Sequence, residues 1–167
     1  MPQVGTQEPQ TDFKGQWRAS TPESARSFSA VGFLYGRYLH QILGVPVGLI
    51  DNAWGGSAAE AWMRRSTLEN DPRFALLMQN TVKKEADLTS EKSKADHAAA
   101  MEKWKEATAK AKAEKKPEPR APQSPQQWLT GNARPGNIFN GIVYPTLGYG
   151  LKGVIWYQGE SNAGRAH

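Results

Sequence analysis

The sequence predicts an α/β fold, and three observations carry that expectation. Residues 45–50 (Val-Pro-Val-Gly-Leu-Ile) and 153–157 (Gly-Val-Ile-Trp-Tyr) are apolar runs without polar alternation, the pattern of strands buried on both faces of a parallel sheet. Each run leaves at its carboxyl end into a polar loop that contains glycine. A helix-periodic segment precedes the first run, so helix and strand alternate along the chain. In such sheets ligands sit beyond the carboxyl ends of the strands, which points to residues 54–57 and 158–162.

The elements follow in order. Residues 1–27 are polar, contain Pro2, Pro9 and Pro22, and hold Phe13 and Trp17 as their large apolar anchors. They read as an extended lead-in. Ser29 then offers an N-cap, and Val31, Leu34, Tyr35, Tyr38, Leu39 and Ile42 recur at helical spacing. Gly44 stands where a left-handed cap is expected, and Pro46 bars continuation. Residues 58–62 suit a helix, and Asp71 with Pro72 marks another helix start. Residues 28–82 thus form the first part of a domain.

From Arg73 to about Lys116 the chain is rich in Ala, Glu, Lys and Met and favours helix. Phe74, Leu77 and Met78 suit docking on a core. The remainder is too thin in apolar side chains for burial, so a long protruding charged helix or helical hairpin is expected. Pro117, Pro119, Pro122 and Pro125 follow as a linker, and residues 83–127 form an inserted segment. Residues 128–167 return to a globular style as the second part of the domain, with Asn140-Gly141 as a turn signal. No internal repeat is visible.

Composition narrows the function. The 167 residues carry a formal net charge of +5. Residues 83–120 alone hold 11 Lys/Arg against 8 Asp/Glu, which is +3 of that +5. Because these charges are interleaved rather than gathered in a stripe, they describe a solvated helix face and argue against nucleic acid. No apolar run approaches the roughly 20 residues of a membrane span, and the first ten residues lack the basic-then-apolar pattern of a leader. Without cysteine there is no disulfide, thiol nucleophile or Cys-based zinc site, and the compartment stays open. His40, His97 and His167 are scattered. No metal and no cofactor is expected.

The two loops can then be read for chemistry. Gly55 and Gly56 leave backbone N–H groups sterically open to a developing oxyanion, and the amides of Gln158 and Asn162 can supply further donors. A tight turn at Gly55-Gly56 and an N-cap at Asn162 are the plain structural alternatives. Glu160, beside two amides and a glycine, suits a supporting role. Residues 159–163 (Gly-Glu-Ser-Asn-Ala) also have the outline of a nucleophile elbow with Ser161 as nucleophile. Against it, His167 is the one histidine that follows, and it lies too close for a distant base. Trp54 and Trp62 offer aromatic faces to sugar C–H surfaces, although large aromatics more often serve a core.

These residues carry a resemblance. Residues 44–50, followed by Trp54-Gly-Gly-Ser57 and Glu60-Ala-Trp62, resemble the sialate O-acetylesterase family of carbohydrate esterases. So do Phe139-Asn-Gly-Ile-Val-Tyr-Pro145 and the run from Gly153 through Trp156-Tyr-Gln-Gly-Glu-Ser-Asn162 to Ala163. The resemblance implies a flavodoxin-like, SGNH-type three-layer α/β/α sandwich that removes acetyl groups from sugar hydroxyls through a Ser–His–Asp triad. It implies that Gly55 or Gly56, with Gln158 or Asn162, forms the oxyanion hole, and that Ser161 is not the nucleophile. The implied partner is an acetylated sugar, and by resemblance the parent protein is secreted or periplasmic.

The sequence also departs from that pattern. No Gly-Gln-Ser-Asn motif occurs in residues 1–50, and no Asp-x-x-His motif near the carboxyl end; Asp96-His97 lies in the charged helix. The expectation is an internal fragment that holds the oxyanion half of a site and is inactive alone. A non-catalytic carbohydrate-binding or scaffold module, and an enzyme with Ser161 as nucleophile, stand as alternatives.

Overall fold

A computed structural model describes residues 3–12 and 14–165; Pro2, Phe13 and His167, on which sequence expectations rested, lie outside the described residues. Local sequence explains most helix ends. Helix α1 (Pro22–Ala25) is capped by Thr21, whose hydroxyl accepts the Ser24 N–H while the Ser24 hydroxyl accepts the Thr21 N–H. Helix α2 (Ala30–Leu43) starts at Ser29, whose Oγ accepts the Gly32 N–H at 3.2 Å. It ends at Gly44, left-handed at φ 64°, whose N–H donates to the His40 carbonyl at 2.9 Å. Four further helices follow: α3 (Arg65–Glu69), α4 (Ala75–Thr89), α5 (Glu91–Ala113) and α6 (Pro125–Leu129).

The α/β expectation fails. Among the described residues there is no strand and no sheet, and the regular structure is helical. The two runs read as buried strands are irregular and largely exposed: Val45 keeps 47% of its surface in solvent, Val154 79% and Tyr157 79%. The flavodoxin-like three-layer sandwich implied by the resemblance falls with them. The physical reason is that apolar continuity says a segment could be buried in a sheet without supplying neighbours. A strand in a parallel sheet needs partner strands for its N–H and C=O groups, and among the described residues neither run has one; the Val45 carbonyl meets the His40 ring instead, with Nδ1 at 2.7 Å.

The core forms elsewhere. Ala61, Ile138 and Ile142 make its centre, with Val4, Trp54 and Trp62 packed against them. Leu68, Pro135, Asn137 and Ile138 are fully enclosed. The lead-in is strapped across this core, with Thr6 N–H donating to the Asn137 carbonyl (3.2 Å) and Gln10 N–H to the Asn140 carbonyl (2.9 Å). The Asn140 amide donates back to the Gln7 carbonyl at 2.7 Å. Asn140-Gly141 is therefore not an exposed turn, but part of a buried π-helical turn at Phe139–Val143. Glycine is required at position 141 because the Val4 carbonyl lies where a β-carbon would stand.

The charged insertion is a helical hairpin. Ser90 leaves helical geometry (ψ 151°) between α4 and α5, and its Oγ accepts the Ser93 N–H. The hairpin does not simply protrude, which corrects the expectation that it lacks the means to dock. Glu85 accepts both terminal nitrogens of Arg65 (2.6 and 3.1 Å) and Arg134 Nε (2.7 Å). Arg134 in turn donates to Asn137 Oδ1 at 2.7 Å. Burial pushes the Glu85 carboxyl upward, but the hydrogen bond from Arg65 and the nearby Arg134 charge outweigh it, leaving it below the usual glutamate range. Ion pairing thus anchors α4 in addition to its buried Met78. The linker folds back as well: Trp104 Nε1 donates to the Pro119 carbonyl at 2.8 Å, and Lys84 lies 4.4 Å over the Trp128 ring.

Candidate functional site

The polar loop after the first apolar run turns at Gly55 and Gly56 and then drops into the core. Gly56 takes a left-handed φ of 68°, a conformation that side-chain-bearing residues rarely adopt. Beyond it Ser57 and Ala58 are buried, and a 3₁₀ turn, Ala59–Trp62, places Glu60 and Ala61 inside. Neither Gly55 nor Gly56 donates its N–H to an acceptor among the described residues. A β-carbon on Gly55 would meet nothing within 4 Å, so this backbone faces open space. Asn132 holds the loop from outside: its amide donates to the Gly55 carbonyl (3.0 Å), and its carbonyl accepts the Ala58 N–H (3.0 Å).

The second loop meets the first across about a hundred residues of chain. Gln158 Nε2 donates to the Ser57 carbonyl at 3.2 Å. Asn162 Oδ1 accepts the Ala59 N–H at 2.9 Å, and Asn162 Nδ2 donates to Glu60 Oε2 at 2.9 Å. The amide orientation of Asn162 is fixed from both sides, because an N–H must face its oxygen and an acceptor-only carboxylate must face its nitrogen. Gln158 Nε2 also reaches Asn162 Oδ1 at 3.4 Å, so both of its hydrogens have acceptors. Asn162 Nδ2 has one acceptor among the described residues, and its second hydrogen is uncommitted.

Of the sequence-derived candidates, Gly55, Gly56, Gln158 and Asn162 are thus drawn into one place. Trp62 joins them, with its Nε1 donating to Ser57 Oγ at 2.8 Å and the Trp156 ring edge-on at 5.6 Å. Trp54 is half-buried against the core beneath the loop. Glu160 is exposed, and its backbone carbonyl accepts the Ala163 N–H. Ser161 is exposed in the same turn. The carboxylate inside the site is Glu60, only 6% exposed. Its signal in the sequence was its place in the Glu60-Ala-Trp62 segment, immediately after the Gly-Gly loop. Asn132 carried no such signal, because nothing local ties it to a loop 77 residues earlier. No group of three His, Cys, Asp or Glu among the described residues is arranged to hold a metal ion. No helix among them is long and apolar enough to cross a membrane.

Comparison with known proteins bears on this site. The chain is 33% identical to the sialate O-acetylesterase of Mus musculus over 142 residues, covering 81% of this chain and 21% of the mouse protein. By sequence, this chain is a relative of the sialate O-acetylesterases. The Rattus norvegicus sialate O-acetylesterase is 30% identical over 139 residues, covering 81% of this chain and 22% of the rat protein. The Homo sapiens sialate O-acetylesterase is 27% identical over 152 residues, 88% of this chain and 20% of the human protein. The chain therefore spans about a fifth of the length of the sialate O-acetylesterases it matches. No family model matches it, and no solved structure does.

Proposed function

We propose that this chain carries the oxyanion-stabilising part of a carbohydrate esterase that removes O-acetyl groups from sialic acid or related sugars by serine-type acyl transfer. The observation behind this reading is the junction of the two loops. Gln158 and Asn162 are hydrogen-bonded to residues 57–60, directly after two glycines whose N–H groups are uncommitted. Similarity to the sialate O-acetylesterases supports the substrate class. In this reading Gly55 or Gly56 donates a backbone N–H to the tetrahedral intermediate, and Asn162 donates its second amide hydrogen. Gln158 positions the 158–162 loop against Ser57 instead, its own hydrogens being occupied. Glu60 holds the Asn162 amide in the donating orientation. Donors fixed before the reaction cost no reorganisation as charge develops, which is why such groups lower the barrier by about 3–4 kcal/mol each. The nucleophilic serine and its base belong to other segments of the parent polypeptide, since this sequence has no Gly-Gln-Ser-Asn or Asp-x-x-His motif.

Grafting this chain in place of the matching segment of the mouse sialate O-acetylesterase tests the reading. The graft should hydrolyse O-acetylated sialate, and Asn162→Ala should lower its kcat by about a hundredfold with KM little changed. Gly56→Val should act in the same direction, while a folded, active graft indifferent to both changes would remove these loops from the reaction. The isolated chain should not turn over. Saturable acetyl-ester hydrolysis by it, abolished by Ser161→Ala, would make Ser161 the nucleophile.

A further inference from the structure

A groove of about 450 Å³ opens between the proline linker and helix α6, and the reading above does not use it. Arg120, Gln123, Gln127, Trp128 and Asn132 supply its functional side chains. A second recess, bounded by Ser66, Asn70, Asp71 and Arg73, shares none of these residues, and its one arginine is already paired with Asp71. In the groove the chemistry is one-sided. Arg120 is exposed and has no acidic partner among the described residues, and no Asp or Glu lines the walls. Lys84 lies over the ring of Trp128 and adds a second positive charge behind that wall. Gln127 commits its Oε1 to the Ser124 N–H, leaving its NH₂ as a donor.

The groove also adjoins the candidate site. Asn132 lines it and donates to the Gly55 carbonyl at 3.0 Å, and the same amide nitrogen lies 4.0 Å from where a β-carbon of Gly56 would stand. Asn132 is therefore shared between the wall of the groove and the loop that carries the two glycines.

We infer that this groove is the subsite for the carboxylate of an acidic monosaccharide, with Arg120 as the residue that reads the charge. A planar guanidinium pairs with a carboxylate through two parallel hydrogen bonds. The amides of Gln123, Gln127 and Asn132 match the hydroxyl and acetamido groups of a sugar. The choice of a sugar as ligand rests on the esterase reading above; the preference for an anion rests on the groove alone.

Titrating the isotope-labelled 167-residue chain with N-acetylneuraminate, followed by NMR, tests this. Saturable shifts are expected at the Arg120 Nε–H, the Trp128 indole N–H and the Asn132 side-chain amide. The uncharged N-acetylmannosamine should bind at least tenfold more weakly, and Arg120→Gln should erase that difference while leaving the circular dichroism spectrum unchanged. Gln123→Ala, a second change in the exposed linker, should weaken both sugars by a few-fold. Equal binding of the charged and neutral sugars, or no saturable shift in these residues, overturns the inference. Shifts confined to residues 55–57 and Asn162 would also overturn it while leaving the esterase reading in place. Shifts at the groove in a chain whose graft tolerates Asn162→Ala would support the subsite and remove the oxyanion assignment.

Discussion

Two regions of this chain invert the usual relation between apolar content and burial. Helix α2 and residues 151–157 are rich in large apolar side chains, yet Tyr38, Ile42, Val154 and Tyr157 are each more than half exposed. The segment around Arg134, Asn137 and Asn140 sets three strongly polar side chains beside Ile138 and Ile142, and all three are buried. Apolar periodicity states what a residue gains from burial, whereas burial itself requires a partner surface. The polar segment has one, because every buried group there meets a complementary group: Asn137 alone links the Leu129 and Gly131 carbonyls to the Arg134 guanidinium. A buried polar group is costly only when its hydrogen bonds are missing.

The contrast can be broken most directly at Asn137. Asn137→Ala should destabilise the chain by about 3 kcal/mol, since it opens a void and takes the partner from the Leu129 and Gly131 carbonyls and from Nη1 of Arg134. Chemical denaturation read by circular dichroism measures it, and a loss below 1 kcal/mol would mean the network is not cooperative.

Glu85 should come next. Glu85→Gln should cost about 2 kcal/mol, less than the 3–5 expected for a fully buried pair, because its side chain keeps 20% of its surface exposed. The pH dependence has a definite sign. The folded-state pKa of Glu85 is depressed, so its stabilisation is complete above the ordinary glutamate value of about 4.3 and is lost as pH falls through the lower folded value. Unfolding midpoints measured from neutral pH down into that range should drop for the parent chain and flatten in Glu85→Gln. An equally steep drop in the variant would assign the acid sensitivity to other carboxylates.

The smallest effect is expected in the apolar region. Ile42→Ala, at a residue 78% exposed, should change stability by less than about 0.5 kcal/mol. A loss of 2 kcal/mol or more would show that α2 is covered in solution and that the contrast is weaker than drawn.

Much of the local structure was legible in the sequence, because caps and turns are encoded within a few residues. Ser29, Gly44 and the Asp71-Pro72 start belong to that class. The site was legible in part. The glycine pair and the two amides could be picked out as chemistry-bearing loops, but which amide keeps a hydrogen to donate depended on Ser57 and Glu60 a hundred residues away. The sheet was misread for a related reason. The runs at 45–50 and 153–157 have strand composition, and composition names no neighbour.

The sequence by itself determined the helix over 30–43 with both its ends, the Asp71-Pro72 start, the charge of the hairpin and the likeness to the sialate O-acetylesterases. These are set by local propensity, capping and motif, none of which needs the rest of the molecule. Only the tertiary structure decided that Glu85 would anchor the hairpin through Arg65 and Arg134, and that Val4 would cross Gly141. It likewise brought Asn162 to rest between Ala59 and Glu60. Each of these contacts joins groups far apart in the chain, and its free energy depends on what else has been excluded from water around it.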